Sequence, residues 1–199
     1  MRWWVFIPVL ALVLTMDAAF MPACSIGGHV PQLWPLLLAF VALYASRGSA
    51  LWAAMMVGVW LDAMHPALDT SGATPRAVTV FGPHILACAA GAWCVLETRT
   101  WLYRRNVLTV AFSTFNCALL ASLAYVAIAG IRSAYADSSP LWGGGSGGAA
   151  LGSDLVDALY SAVIAILPAW GLQSTLTVWG FATAGPRFAG GSRMNRGND

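Results

Sequence analysis

Six apolar stretches alternate with short polar or glycine-bearing joints along the chain, and their lengths set the first expectation. A helix needs about 20 apolar residues to cross the roughly 30 Å hydrocarbon layer, and fewer where the bilayer thins. The pattern predicts membrane helices over about 3–20, 32–46, 49–64, 78–96, 107–131 and 155–181. Ser46-Arg47-Gly48-Ser49 joins the second and third so closely that they read as a tight helical hairpin. Pro168 lies inside the sixth, where its missing N–H and its ring should kink or divide the helix. The run Gly143 to Gly148 marks a flexible linker by composition, and residues 185–199 read as a flexible tail. The expected fold is all-α: a bundle of six membrane helices within one polytopic domain over 1–184. Five spans would require one segment to lie in the interface.

Composition makes the same point by a second route. Of 199 residues, 59% are hydrophobic and 9% charged, against about 25% charged in soluble domains. The net charge of +2 comes from scattered arginines that form no nucleic-acid-binding face, so nucleic acid is excluded as a partner. Short cytoplasmic loops retain positive charge. With both termini inside, Arg2, Arg47, Arg99, Arg104, Arg105, Arg187, Arg193 and Arg196 are cytoplasmic, and only Arg76 and Arg132 are outside.

Acidic groups in so apolar a chain call for a reason, because an aspartate at the centre of a membrane helix costs about 2.5–3.5 kcal/mol and much less near its end. Asp62 and His65 stand near the outer end of the third segment in Gly58-Val59-Trp60-Leu61-Asp62-Ala63-Met64-His65-Pro66. They read as groups that satisfy loose backbone at a helix terminus; a contact to a partner or neighbouring helix, and proton or ion transport, stay open. Asp154 and Asp157 read as N-terminal caps of the sixth helix. Asp17 has no capping role in this reading, and Arg132 is a candidate partner for it. His84 reads as a helix-packing histidine, and His29 falls in the first outer loop. The spacing shows no nucleophile beside a base, and Cys24, Cys88, Cys94 and Cys117 form no metal-type cluster. The expectation is a protein without catalytic residues, metal or cofactor.

Small residues suggest close helix packing. Ser113, Cys117 and Ala121 recur every four residues in the fifth segment, and Ala87 and Gly91 lie in the fourth; in lipid, such stripes let backbones approach. They serve either this bundle or a partner helix. Arg99, Arg104 and Arg105, with Trp101 and Tyr103 between them, read as interfacial anchors, with a cytoplasmic protein or anionic lipid as the sharper possibility.

The order of these features resembles the rod-shape-determining protein MreD family. The resemblance rests on Leu33-Trp34-Pro35-Leu36-Leu37-Leu38, the turn Ala45-Ser46-Arg47-Gly48, and Ala53 to Asp62, which ends in Gly58-Val59-Trp60-Leu61-Asp62. It continues through a proline-bearing loop to Phe81-Gly82 and covers roughly Val9 to Ile131. The loop His65 to Arg76 is longer than that family's compact turn, and the glycine-rich loop and the arginine-bearing tail are additional.

The resemblance implies a non-catalytic scaffold of the bacterial inner membrane, within the machinery of cell elongation and cell-shape maintenance. Its implied partners are a bitopic MreC-like protein, MreB-like actin-type filaments and the enzymes of lateral peptidoglycan synthesis. Gly58 and Asp62 would belong to the family motif. That fold is also similar to the substrate-binding subunits of energy-coupling-factor transporters, so a small-molecule binding or transport subunit is the alternative.

Overall fold

The structure, a computed structural model, describes residues 1–65, 67–69, 76–102, 106–133 and 147–181. It is all-α in class. The helices are α1 (Trp3–Ala19), α2 (Trp34–Tyr44), α3 (Arg47–Met64), α4 (Pro83–Thr98), α5 (Val107–Ser133), α6 (Gly147–Ile164), α7 (Ile166–Ser174) and α8 (Leu176–Trp179), with a 3-10 turn over Met21–Cys24. The long loop expected between α3 and α4 adds one small ladder, in which β1 (Ala67–Asp69) runs antiparallel to β2 (Arg76–Val78).

Five of the six expected segments are single helices, though α4 begins at Pro83 rather than at Val78, which lies in β2, and the sixth is divided. The bend between its first two pieces is 48°. It falls at Ala165, and the cause lies three residues on: Pro168 has no N–H to offer the Ile164 carbonyl, so the ladder cannot continue through that point. A second break at Thr175 separates α7 from α8.

Successive helices from α1 to α5 alternate in direction, and α6 to α8 form one broken run back. Arg2 N–H donates to the Trp179 carbonyl at 2.9 Å, so the first and last helices end together, at the end of the bundle that also holds the side chains of Arg47 and Arg99. At the other end lie the C-terminus of α1, the N-terminus of α2, the C-terminus of α3 and the N-terminus of α4.

At the centre stands α2, with every residue from Trp34 to Leu43 buried. Its 11 residues span only about 16 Å at 1.5 Å per residue. A short buried helix leaves four N–H and four C=O groups without partners at its ends, away from solvent. Other helices supply them. Asp17 of α1 accepts the Leu33 and Trp34 N–H groups at 2.6 and 2.9 Å, and Arg99 donates to the Ala42 and Ala45 carbonyls at 3.0 and 2.7 Å. Each charge opposes the dipole end it meets.

Large apolar side chains also point outward around the bundle, among them Trp4, Trp52, Leu86, Phe112, Leu159, Leu167 and Trp170. Of the described helices, α5 over Val107–Ile131 is long and apolar enough to cross a membrane, and the bent pair Leu151–Ile164 with Ile166–Ser174 gives a second if counted as one span. The expected spans at α1 and α2 are apolar but shorter than that test requires.

Candidate functional site

The stretch Gly58 to Asp62 is a joint between α3 and α4. Gly58 lies against the first turn of α4 so closely that a Cβ there would sit 2.4 Å from Ile85 Cα and 2.8 Å from the His84 carbonyl oxygen. One turn on, the Asp62 side chain is 1% exposed. Its Oδ2 accepts the Gly82 N–H at 2.7 Å, and its Oδ1 accepts the His84 N–H at 3.0 Å and lies 2.7 Å from His84 Nδ1. Gly82 holds φ +130 at the N-cap of α4, a conformation that L side chains rarely adopt. This turns its N–H toward the carboxylate, and Pro83 behind it starts the helix with φ already set.

Asp62 therefore does satisfy backbone at a helix terminus, but at the start of α4 rather than at the end of its own helix. Its imidazole partner is His84, not the adjacent His65. His65 folds back on α3, its Nδ1 3.0 Å from the Leu61 carbonyl oxygen. The rings of His65 and His84 are 5.8 Å apart, and Tyr125 of α5 lies 4.5 Å beyond His84.

Asp17 and Asp62 perform the same task. Each sits near the end of one helix and accepts two main-chain N–H groups from the first turn of the next. Asp17 thus meets the N-terminus of α2; the side chain of Arg132, its candidate partner, lies outside the described residues. Asp154 and Asp157 are also corrected: α6 starts at Gly147, which places them in its second and third turns rather than at its cap. Asp157 Oδ1 lies 2.8 Å from His29 Nδ1, and Asp154 is hydrogen-bonded to the Ser122 hydroxyl of α5. Two further bonds hold the loop before α2 against α6, from Tyr160 to the Cys24 carbonyl at 2.8 Å and from the Gln32 N–H to Ser161 Oγ at 2.8 Å.

The small-residue stripe belongs to the bundle's interior. Ser113, Cys117 and Ala121 are buried, and a Cβ on Gly91 would meet the Cys117 carbonyl oxygen at 2.5 Å. This face of α5 is occupied by α4. At the opposite end, Arg99 is spent on α2, and Arg47 pairs with Glu97 at 2.6 Å in an exposed setting. Arg104 and Arg105 lie outside the described residues.

Two neighbouring spaces open at the Asp62 end. One of about 220 Å³ is lined by Gln32, His65, His84, Ser122, Tyr125 and Asp154 with apolar neighbours. The other, a cleft of about 580 Å³, runs past Thr15, Asp17, Trp60 and Met64. Gln32, Trp34, Leu61 and His65 wall both. Sequence reasoning missed Gln32, Ser122 and Tyr125, because ordinary polar residues inside apolar runs carry no spacing signal. Among the described residues, no group of three or more His, Cys, Asp or Glu side chains is placed to hold a metal ion. No family model, no curated protein and no solved structure matches this chain.

Proposed function

We propose that the protein is a polytopic scaffold of the bacterial inner membrane, of the MreD type. It joins a bitopic MreC-like protein to MreB-like filaments and to peptidoglycan synthesis during cell elongation. The observation that carries this reading is the use of its most distinctive motif: Gly58 and Asp62 brace one helix on the next, and both carboxylate oxygens are taken up by that bracing. The motif acts in architecture, as a scaffold requires, and the resemblance rests on the same residues.

The membrane setting has its own support. Outward-facing tryptophan, leucine and phenylalanine around α1 and α3–α7 form a surface that lipid would cover and water would not. The described arginine side chains, Arg2, Arg47 and Arg99, gather at the end where both termini of the bundle lie. By the positive-inside rule that end faces the cytoplasm, and an even number of crossings follows. The partner's helix then meets the outward apolar faces, since the small-residue face of α5 is already filled.

Depletion in the native host tests the role. Rod-shaped cells should widen and round as the protein is lost, and re-expression should restore them. Unchanged cell shape on full depletion would overturn it.

A further inference from the structure

Each of the four aspartates whose side chains are described at the Asp62 end has a partner, but the partners differ in kind. Asp17 and Asp62 are committed to helix N-termini, and Asp157 faces His29. Asp154 is held by a neutral hydroxyl, Ser122, and it lies on the wall of the 220 Å³ space. A half-buried carboxylate held by a neutral partner and lining a cavity can take a cation there. The described side chains at this end include no arginine, and the chain has no lysine. His29 and His84 already face Asp157 and Asp62.

The rest of the lining fits one kind of guest. Gln32 and Tyr125 add an amide and a phenol to the same lining. The remaining walls of the cavity, Trp34, Leu61, Ala87, Cys88 and Ala121, are apolar. A mostly apolar hollow with a few converging polar groups is the usual form of a small-molecule site.

We infer that the cavity bounded by Gln32, His65, His84, Ser122, Tyr125 and Asp154 binds a small organic ammonium ion, its nitrogen at Asp154 and its apolar body against Trp34, Leu61, Ala87 and Ala121. The inference rests on the cavity and its charge and is independent of the scaffold role. A scaffold with such a site would be stiffened when it is filled, because the guest touches α2, α3, α4, α5 and α6 at once.

The test uses the full chain in nanodiscs of zwitterionic lipid, with empty discs subtracted. 2-Phenylethylamine and its neutral counterpart 2-phenylethanol are titrated by calorimetry. The amine should bind saturably and about tenfold or more tighter than the alcohol, as expected for a charge-assisted contact. Asp154→Asn should remove that preference while leaving the weak alcohol binding in place. Equal affinities, absence of saturable amine binding, or undiminished amine preference in Asp154→Asn would each overturn the inference. Should Asp154→Asn fail to fold, the amine-to-alcohol ratio in the unaltered chain still decides, and Ser122→Ala should retain a preference for the amine.

Discussion

Asp17 and Arg99 hold opposite ends of the same buried helix. The carboxylate accepts the N–H groups that open α2, and the guanidinium donates to the carbonyls that close it. The two residues come from α1 and from the C-cap of α4, so three helices are locked by polar groups that would otherwise be stranded in an apolar interior. Arg99→Gln should therefore lower stability by about 1–3 kcal/mol, the cost of leaving buried acceptors short of a donor. Arg47→Ala removes only the exposed pair with Glu97 and should cost about 0.2–1 kcal/mol. Denaturant unfolding in mild detergent, followed by tryptophan fluorescence, separates the two; a larger loss from Arg47→Ala would refute the distinction.

Gly58→Ala should be costly for so small a change. Its added methyl meets the backbone of Ile85, which cannot swing aside as a side chain would. Overpacking of this kind costs about 1–3 kcal/mol and occasionally more. Gly48→Ala, where a Cβ meets nothing within 4 Å, is the control and should leave the melting temperature nearly unchanged.

Asp62→Leu should be more damaging than Asp62→Asn. Leucine leaves the Gly82 and His84 N–H groups without acceptors, at about 1–3 kcal/mol each, whereas asparagine keeps one acceptor oxygen. The same unfolding measurement orders them, and equal losses would show that the carboxylate does not brace α4.

Sidedness has its own test. A reporter that works only in the cytoplasm should be active when fused after Asp199, and silence there would overturn the proposed orientation.

Much of the helical layout was legible because apolar runs of this length permit little else, and Pro168 announced the divided last helix three residues beyond the break. Cross-helix pairings were not legible. Asp62 pairs with His84 across 22 positions while His65, three residues away, turns back on its own helix, and no spacing in the sequence points from Asp62 to His84. A signal for the capping device did exist. An aspartate near the end of an apolar run precedes, by 17 and 20 residues, the backbone N–H groups of Trp34 and Gly82, and each is followed directly by proline. Proline at a helix start marks a turn whose remaining N–H groups need acceptors, and the preceding aspartates are the nearby anions. The cavity left no such trace, since Gln32, Ser122, Tyr125 and Asp154 converge only through the packing of α5 and α6 on α2.

The most direct measurement is affinity purification of the intact chain in mild detergent from its own host, with mass spectrometry of the proteins that accompany it. A scaffold of cell elongation should bring a bitopic coiled-coil protein in near-stoichiometric amount, with wall synthases or actin-like filaments behind it. Recovery of an ATPase-bearing transporter module without a bitopic partner would contradict the proposed role.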